Sequence, residues 1–242
     1  MRLHRFYFPE AIGNKSEVII DNKDVVNQVR KVFRLKKGDL LVVFDGSGSD
    51  YTCGIEDFRG DSIVLGVREA TKSRFMPEKE ITLCMAVVKK DNFEWIVEKA
   101  TELGVAKIIP IIAERTEKKA LNEERLKKIA VEASEQSGRG NVPTIHPIIT
   151  FKESVEWVNE NGIDAVAFHT DGEILNSSAR ADLAEKEVLE IFIGPEGGWS
   201  QDEIALFHDN EIPVVSIGKQ VLRAETAVVS ALSLVMLQID AG

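Results

Sequence analysis

The sequence predicts an α/β protein with two parts: a small β-rich N-terminal region and a larger region built on a parallel sheet. Three observations predict it. The first seventy residues are a series of short β-branched segments broken by glycine turns. From about residue 79, strand and helix signals alternate, as parallel α/β sheets require. Two of the late strands run directly into glycine-containing loops.

The elements follow in order. Arg2–Phe8 is aromatic-rich, and Glu17–Ile20, Asp39–Asp45, Tyr51–Asp57 and Ser62–Arg68 read as strands. Gly46-Ser47-Gly48-Ser49 and Arg59-Gly60-Asp61 are hairpin signals. One helix interrupts them, with Val25, Val29, Val32 and Phe33 at helical spacing and Asp21, Asn22 or Asp24 available as caps. Strands and one helix in this length predict a small barrel over 1–70. Residues 71–78 form a polar linker, and 79–242 form the α/β domain. There Ile81–Val88 is a buried-type strand. Asp91–Leu103 is a helix with Asp91 and Glu94 as a capping pair and Gly104 as its stop. Lys107–Ala113 is a strand, and Asn122–Ser137 is a helix ended by Gly138. Asp164–His169, Val188–Gly194 and Pro213–Gly218 are further strands. The last helix, Glu225 to about Ile239, is apolar nearly all round. Either it is central to the core or one face meets a second subunit.

Composition narrows the function. The chain has 242 residues and a formal net charge of −10, which taken alone argues against nucleic acid. The charge is uneven, however. Residues 1–40 carry nine Lys+Arg against five Asp+Glu, and residues 153–212 carry two against fifteen. Steering depends on where charge lies, so the basic N-terminal region remains a candidate docking face. Cys53 and Cys84 are too few and too separated for a disulfide framework or a cysteine zinc site. His4, His146, His169 and His208 lack ligand spacing, so no metal is expected. The N-terminus has no apolar signal region, and Ala227–Leu237 is too short to span a bilayer. A cytoplasmic protein without a membrane partner is expected.

The chemistry is concentrated late in the chain. Ile193 leads into Gly194-Pro195-Glu196-Gly197-Gly198-Trp199, and Ser200 with Glu203 then starts a helix. Ile217 leads into Gly218, with Leu222, Arg223, Glu225 and Thr226 downstream. Ligands of open α/β folds sit beyond the carboxyl ends of strands, and glycine lets backbone approach them closely. Neither loop is a Walker A or a GxGxxG fingerprint. Taken alone, the Gly194–Trp199 loop is explained better by a tight turn entering a helix than by a ligand. A first-turn Glu225 is explained by the helix macrodipole, with Arg223 as its ion-pair partner.

Taken together, Ile193–Gly198 and Ser216-Ile217-Gly218-x-x-Val221-Leu222-Arg223-x-Glu225-Thr226-Ala227 resemble the SPOUT-class methyltransferases. More narrowly, the chain is similar to the ribosomal RNA small subunit methyltransferase E family. Val32–Asp39, Phe44-Asp45-Gly46, Glu98–Gly104, Glu114-Arg115-Thr116, and Glu132–Arg139 with Val142-Pro143 extend the likeness along the chain. Ala224 departs from the threonine usual there, and Phe168–Glu173 matches only loosely.

The resemblance implies a PUA-like barrel that docks RNA and a C-terminal trefoil knot that binds S-adenosyl-L-methionine (SAM). It implies a homodimer that methylates uridine N3 in 16S rRNA, free or in the assembled small subunit. Arg223 would stabilise developing charge on the uracil, and Glu225 would orient Arg223 or the base edge. His169, Gly194, Pro195, Glu196, Gly197, Ile217, Gly218, Leu222 and Thr226 would hold the cofactor. Arg2, Arg5, Arg30, Lys31, Arg34, Lys36, Arg139 and Asn141 would contact RNA, with Lys37 beside them. Two alternatives stand next to this reading. One is a ribose 2′-O-methyltransferase of the same class, whose asparagine-bearing segment is absent at Val221–Thr226. The other is a non-catalytic rRNA-binding assembly factor.

Overall fold

A computed structural model of the chain describes residues 3–117 and 120–236. It divides into two compact units: residues 1–76 with 134–142, and residues 77–133 with 143–242.

The first unit is a five-stranded sheet formed by β1 (Arg5–Tyr7), β2 (Glu17–Ile20), β3 (Leu40–Phe44), β4 (Ser49–Arg59) and β5 (Ser62–Lys72). The spatial order is β1-β3-β4-β5-β2, with β1 parallel to β3 and the other pairs antiparallel. Alternation along these strands buries Phe6, Val18, Leu41, Val43 and Leu65 in one core. Asn22 caps α1 (Lys23–Asn27) by accepting from the amides of Asp24 and Val25. The expected helix does not continue as α. From Gln28 to Val32 it widens into a π turn, with Phe33 N donating to Gln28 O at 2.9 Å. Arg34 ends it at φ +54°, a left-handed position usually given to glycine.

The boundary differs from the expected 71–78 linker. β5 runs through Lys72, paired with Ser49 of β4. Ser134–Val142 also joins the N-terminal unit, because Arg5 Nη1 donates to Ser134 O at 3.2 Å and Tyr7 N donates to Glu135 Oε1 at 2.9 Å. Residue types alone do not reveal such a long-range attachment.

The second unit is an all-parallel sheet in the order β12-β10-β11-β6-β7-β8, with β9 also paired to β7. Its strands are β6 (Glu80–Ala86), β7 (Lys107–Ile112), β8 (Thr144–Ile145), β9 (Ile149–Thr150), β10 (Ala165–Ile174), β11 (Val188–Ile193) and β12 (Val214–Ser216). β6 is buried from Ile81 to Ala86, as a strand covered on both faces must be. Its helices are α2 (Lys90–Leu103), α3 (Glu123–Ser137, whose last residues belong to the first unit), α4 (Phe151–Asn161), α5 (Ser177–Glu185), α6 (Gln201–Asp209) and α7 (Ala224–Met236). Phe151 of α4, Phe207 of α6 and Trp199 form an aromatic cluster with Phe192 of β11. α7 packs on α2, α5 and β11.

Two local expectations change. Asp91 is not the cap of α2; Lys89 is, without a side-chain hydrogen bond, and Asp91 sits inside the first turn. β10 extends past His169, and this extension shapes the site. Phe168 and Glu173 both align with Val215, so residues 169–172 leave the ladder and then rejoin it. The last residues of the expected C-terminal helix, beyond 236, lie outside the described residues.

Candidate cofactor cavity and nucleic-acid surface

The cavity forms where β11 and β12 end, beside the excursion within β10. The loop after β11 turns sharply, with Gly198 N donating to Pro195 O at 2.8 Å and Gly198 at φ +68°. Trp199 then turns inward and is buried, its indole N–H donating to Phe168 O at 3.1 Å. Ser200 and Glu203 form the expected capping box of α6. A cavity of about 310 Å³ opens between this loop, the excursion of β10 and the loop after β12.

Eight expected cofactor residues meet there: His169, Gly194, Pro195, Glu196, Gly197, Ile217, Gly218 and Leu222 all line the cavity. Thr226 does not; it is exposed on the first turns of α7. The glycines let the loop pack tightly against its neighbours. A Cβ at Gly194 would meet the Trp199 indole at 3.2 Å, and one at Gly197 would meet the Arg115 stem at 3.3 Å. His169 Nδ1 accepts from Asp171 N at 3.2 Å, which holds the ring against Gly198.

Arg223 is exposed, and its neighbours Leu222 and Ala224 line the cavity. Its carbonyl accepts from Ala227 N at 2.9 Å, so Arg223 opens α7. The expected Arg223–Glu225 ion pair does not form among the described residues. Glu225 Oε2 is buried and accepts no hydrogen bond there.

Asp171 lines the cavity within the loosely matching Phe168–Glu173 segment, whereas sequence reasoning missed Arg115, Trp199 and Gln220 as lining residues. Arg115 follows β7, and its Nη1 donates to Gly197 O at 2.8 Å. Its spacing to the glycine loop carried no signal, because the two meet only through the parallel order of β6, β7 and β11.

The expected RNA-contacting residues divide into two sets. Lys31, Arg34, Lys36 and Lys37 are exposed and closely spaced, and Arg30 is half-buried with its guanidinium over the Phe58 ring. Val32 beside them is 66% exposed. Two others are internal. Arg5 is bidentate to Asp50 at 2.6 and 3.1 Å and stacks over Phe44. Arg139 is fully buried, donates to Asn141 Oδ1 at 3.0 Å, and is pulled down by burial to a pKa of about 10. Both therefore hold the first unit together rather than present charge at its surface. Asn141 is half-buried as Arg139's acceptor, and Arg2 lies outside the described residues.

Cys53 and Cys84 are buried free thiols. No group of three or more His, Cys, Asp or Glu could hold a metal among the described residues. No described helix is long and apolar enough to cross a membrane.

Residues 76–236 match the family model described as an RNA methyltransferase domain. The chain is 30% identical over 238 residues to the ribosomal RNA small subunit methyltransferase E of Rickettsia conorii, covering 98% of this chain and 96% of that one. The protein of the same name from Bacillus subtilis is 31% identical over 226 residues, covering 89% and 88%. The crystal structure of a ribosomal RNA small subunit methyltransferase E from Neisseria gonorrhoeae bound to S-adenosyl methionine superposes with a TM-score of 0.86. It shares 25% identity and 96% coverage of both chains. The chain therefore belongs to the RNA methyltransferase domain family and, over nearly its full length, to its ribosomal RNA small subunit methyltransferase E group.

Proposed function

We propose that the chain uses SAM to methylate N3 of a uridine in 16S rRNA, either free or within the small ribosomal subunit. The observation that carries this is the glycine-walled cavity at the ends of β11 and β12 beside the excursion of β10, flanked by an exposed Arg223. The residues present fit the cofactor. Backbone at Gly194, Gly197 and Gly218 allows close approach. Phe168, Ile193 and Leu222 offer apolar surface for an adenine. Asp171 and Glu196 complement cationic groups, and Arg115 complements a carboxylate. When bound, SAM supplies an electrophilic methyl group.

The chain's own residues address the substrate. Neutral uridine N3 carries a proton, and negative charge spreads to O2 and O4 as that proton leaves. Arg223 answers that charge with fixed donors. Glu225 makes no ion pair with Arg223, which leaves orienting the base edge as its role; its buried Oε2 turns outward to do so. Holding N3 in line supplies a further share of the rate.

The N-terminal sheet serves as a PUA-like barrel whose Arg30–Lys37 stretch meets phosphates, supported by its exposed cations. The C-terminal domain carries the trefoil knot, a reading supported by the family to which the chain belongs. The active form is a cytoplasmic homodimer, supported by α7, which leaves Ala227, Val229 and Leu234 only half-buried. Arg223→Ala tests the assignment of roles. It should abolish methyl transfer while SAM affinity by calorimetry stays within about twofold; equal loss of both refutes the role given to Arg223.

A further inference from the structure

Glu203 lies outside the cavity, yet its carboxylate does more than a helix cap requires. Capping α6 uses one oxygen: Oε2 accepts from Ser200 N at 2.8 Å, and Ser200 Oγ accepts from Glu203 N at 3.2 Å. The other oxygen, Oε1, accepts from Glu114 N at 2.8 Å, 89 residues away in the loop after β7. Glu203 is only 6% exposed, so its carboxylate has little water to turn to in place of these two amides.

The residue after Glu114 is Arg115. Its guanidinium donates to Gly197 O, and its stem packs where a Gly197 side chain would be. The turn carrying both residues is itself built. Thr116 N donates to Ala113 O at 3.1 Å, and Thr116 Oγ1 accepts from Ala113 N at 3.0 Å. The glycine loop is thus attached to the post-β7 turn at two points, one at each end of the stretch Gly197–Ser200. The first is Arg115 on Gly197, and the second is Glu203 bridging Ser200 and Glu114.

We infer that Glu203 is a positioning residue that locks the post-β7 turn, and with it Arg115, against the glycine loop, and so sets the wall of the cofactor cavity. The affinity consequence rests on the cavity's reading as a SAM site; the clamp itself does not. A carboxylate can accept from both amides. A glutamine has one acceptor and must aim its NH2 donor at the other N–H. In Glu203→Gln the single acceptor stays on Ser200 N, which is held three residues away by the helix start, and the clamp on Glu114 N, 89 residues away, is the one lost. Ser200→Ala removes the hydroxyl half of the cap and leaves Oε1 on Glu114 N.

The test compares the full-length wild type, Glu203→Gln, Ser200→Ala, Arg115→Met and the Glu203→Gln/Arg115→Met double variant. Hydrogen exchange on the ligand-free proteins reads the clamp directly. The Glu114 amide should exchange about tenfold faster in Glu203→Gln and at the wild-type rate in Ser200→Ala, as one charge-assisted bond is lost. Calorimetry with SAM reads the consequence. Glu203→Gln should weaken binding about tenfold and Ser200→Ala less than twofold. Adding Glu203→Gln to Arg115→Met should cause little further loss, since the two act as one unit. Unchanged Glu114 protection in Glu203→Gln overturns the inference, as does equal affinity in Glu203→Gln and Ser200→Ala. A wild-type chain that binds no SAM overturns the cavity's assignment instead, and the exchange result still decides the clamp.

Discussion

Gly172 is where β10 rejoins β12 after its excursion past the cavity, and Gly172→Ala perturbs that junction alone. An added Cβ would lie 2.6 Å from the Val215 carbonyl carbon, 2.8 Å from its Cα and 2.9 Å from the Val214 carbonyl carbon. All three are backbone atoms, so no side chain can rotate away. Ordinary contact begins near 3.4 Å, a shortfall of 0.8 Å at the nearest atom. If the strands part by that amount, the Leu175 N to Ser216 O bond stretches from 2.9 Å to about 3.7 Å and is lost. Overpacking costs about 2 kcal/mol and the broken bond about 1, for a total of about 3 kcal/mol. In a chain of this size that is a fall in Tm of about 6–12 °C. Urea unfolding and thermal melts of the ligand-free protein measure it. A variant that melts within about 1 °C of wild type would refute the reasoning, because the junction would then be looser than the packing says.

Other perturbations separate structural cations from docking cations. Arg34→Gly relieves the left-handed backbone and should stabilise the fold by about 0.5 kcal/mol. It should also lower the slope of log RNA affinity against log salt by about 1, as measured by filter binding. Arg5→Met should do the reverse, losing about 3 kcal/mol in denaturant melts as Asp50 loses its cation and keeps only the Ser73 hydroxyl, with the salt slope unchanged. Glu190 is a buried carboxyl held above its usual 4.5, mainly by burial, with Cys84 Sγ 3.4 Å away. A raised carboxyl favours the folded state most at low pH and loses that contribution as pH climbs through the folded value. Glu190→Gln should therefore gain stability relative to wild type as pH rises from about 4.5 and then level off, as pH-dependent urea melts will show.

Where local pattern carried the information, reading and structure agree closely. Glu17–Ile20 is β2 to the residue, because its alternation is clean. Gly104 ends α2 at φ +102° as a left-handed cap should, and Ser200 with Glu203 starts α6. α4 was legible but unread: Thr150 and Glu153 form a capping box, and Gly162 closes it at φ +59°. β8 and β9 were not legible, since two-residue strands have no period. α5 buries none of its residues and so has no apolar stripe to read.

The site shows the same division. The glycine loops are legible because glycines cluster just past two strand ends, where tight turns and close backbone approach both call for them. Arg115 and Glu203 do not, since their partners lie 82 and 89 residues away. Arg5 looks like a surface cation in sequence because its partner Asp50 lies 45 residues away, and Arg139 does because its full burial leaves no local mark, although its acceptor Asn141 is only two residues on.

The charge distribution fits the same picture. The surplus of cations in residues 1–40 coincides with the exposed Lys31–Lys37 stretch, while the acidic stretch 153–212 belongs to the other unit. Net charge alone was a poor guide to the partner.

Incubating the purified chain with small ribosomal subunits lacking the modification and with methyl-labelled SAM tests the central claim most directly. Digestion and nucleoside mass analysis should find one labelled product, a uridine methylated at N3, and none with Arg223→Ala. Label on a ribose, on another base or on no nucleoside contradicts the account.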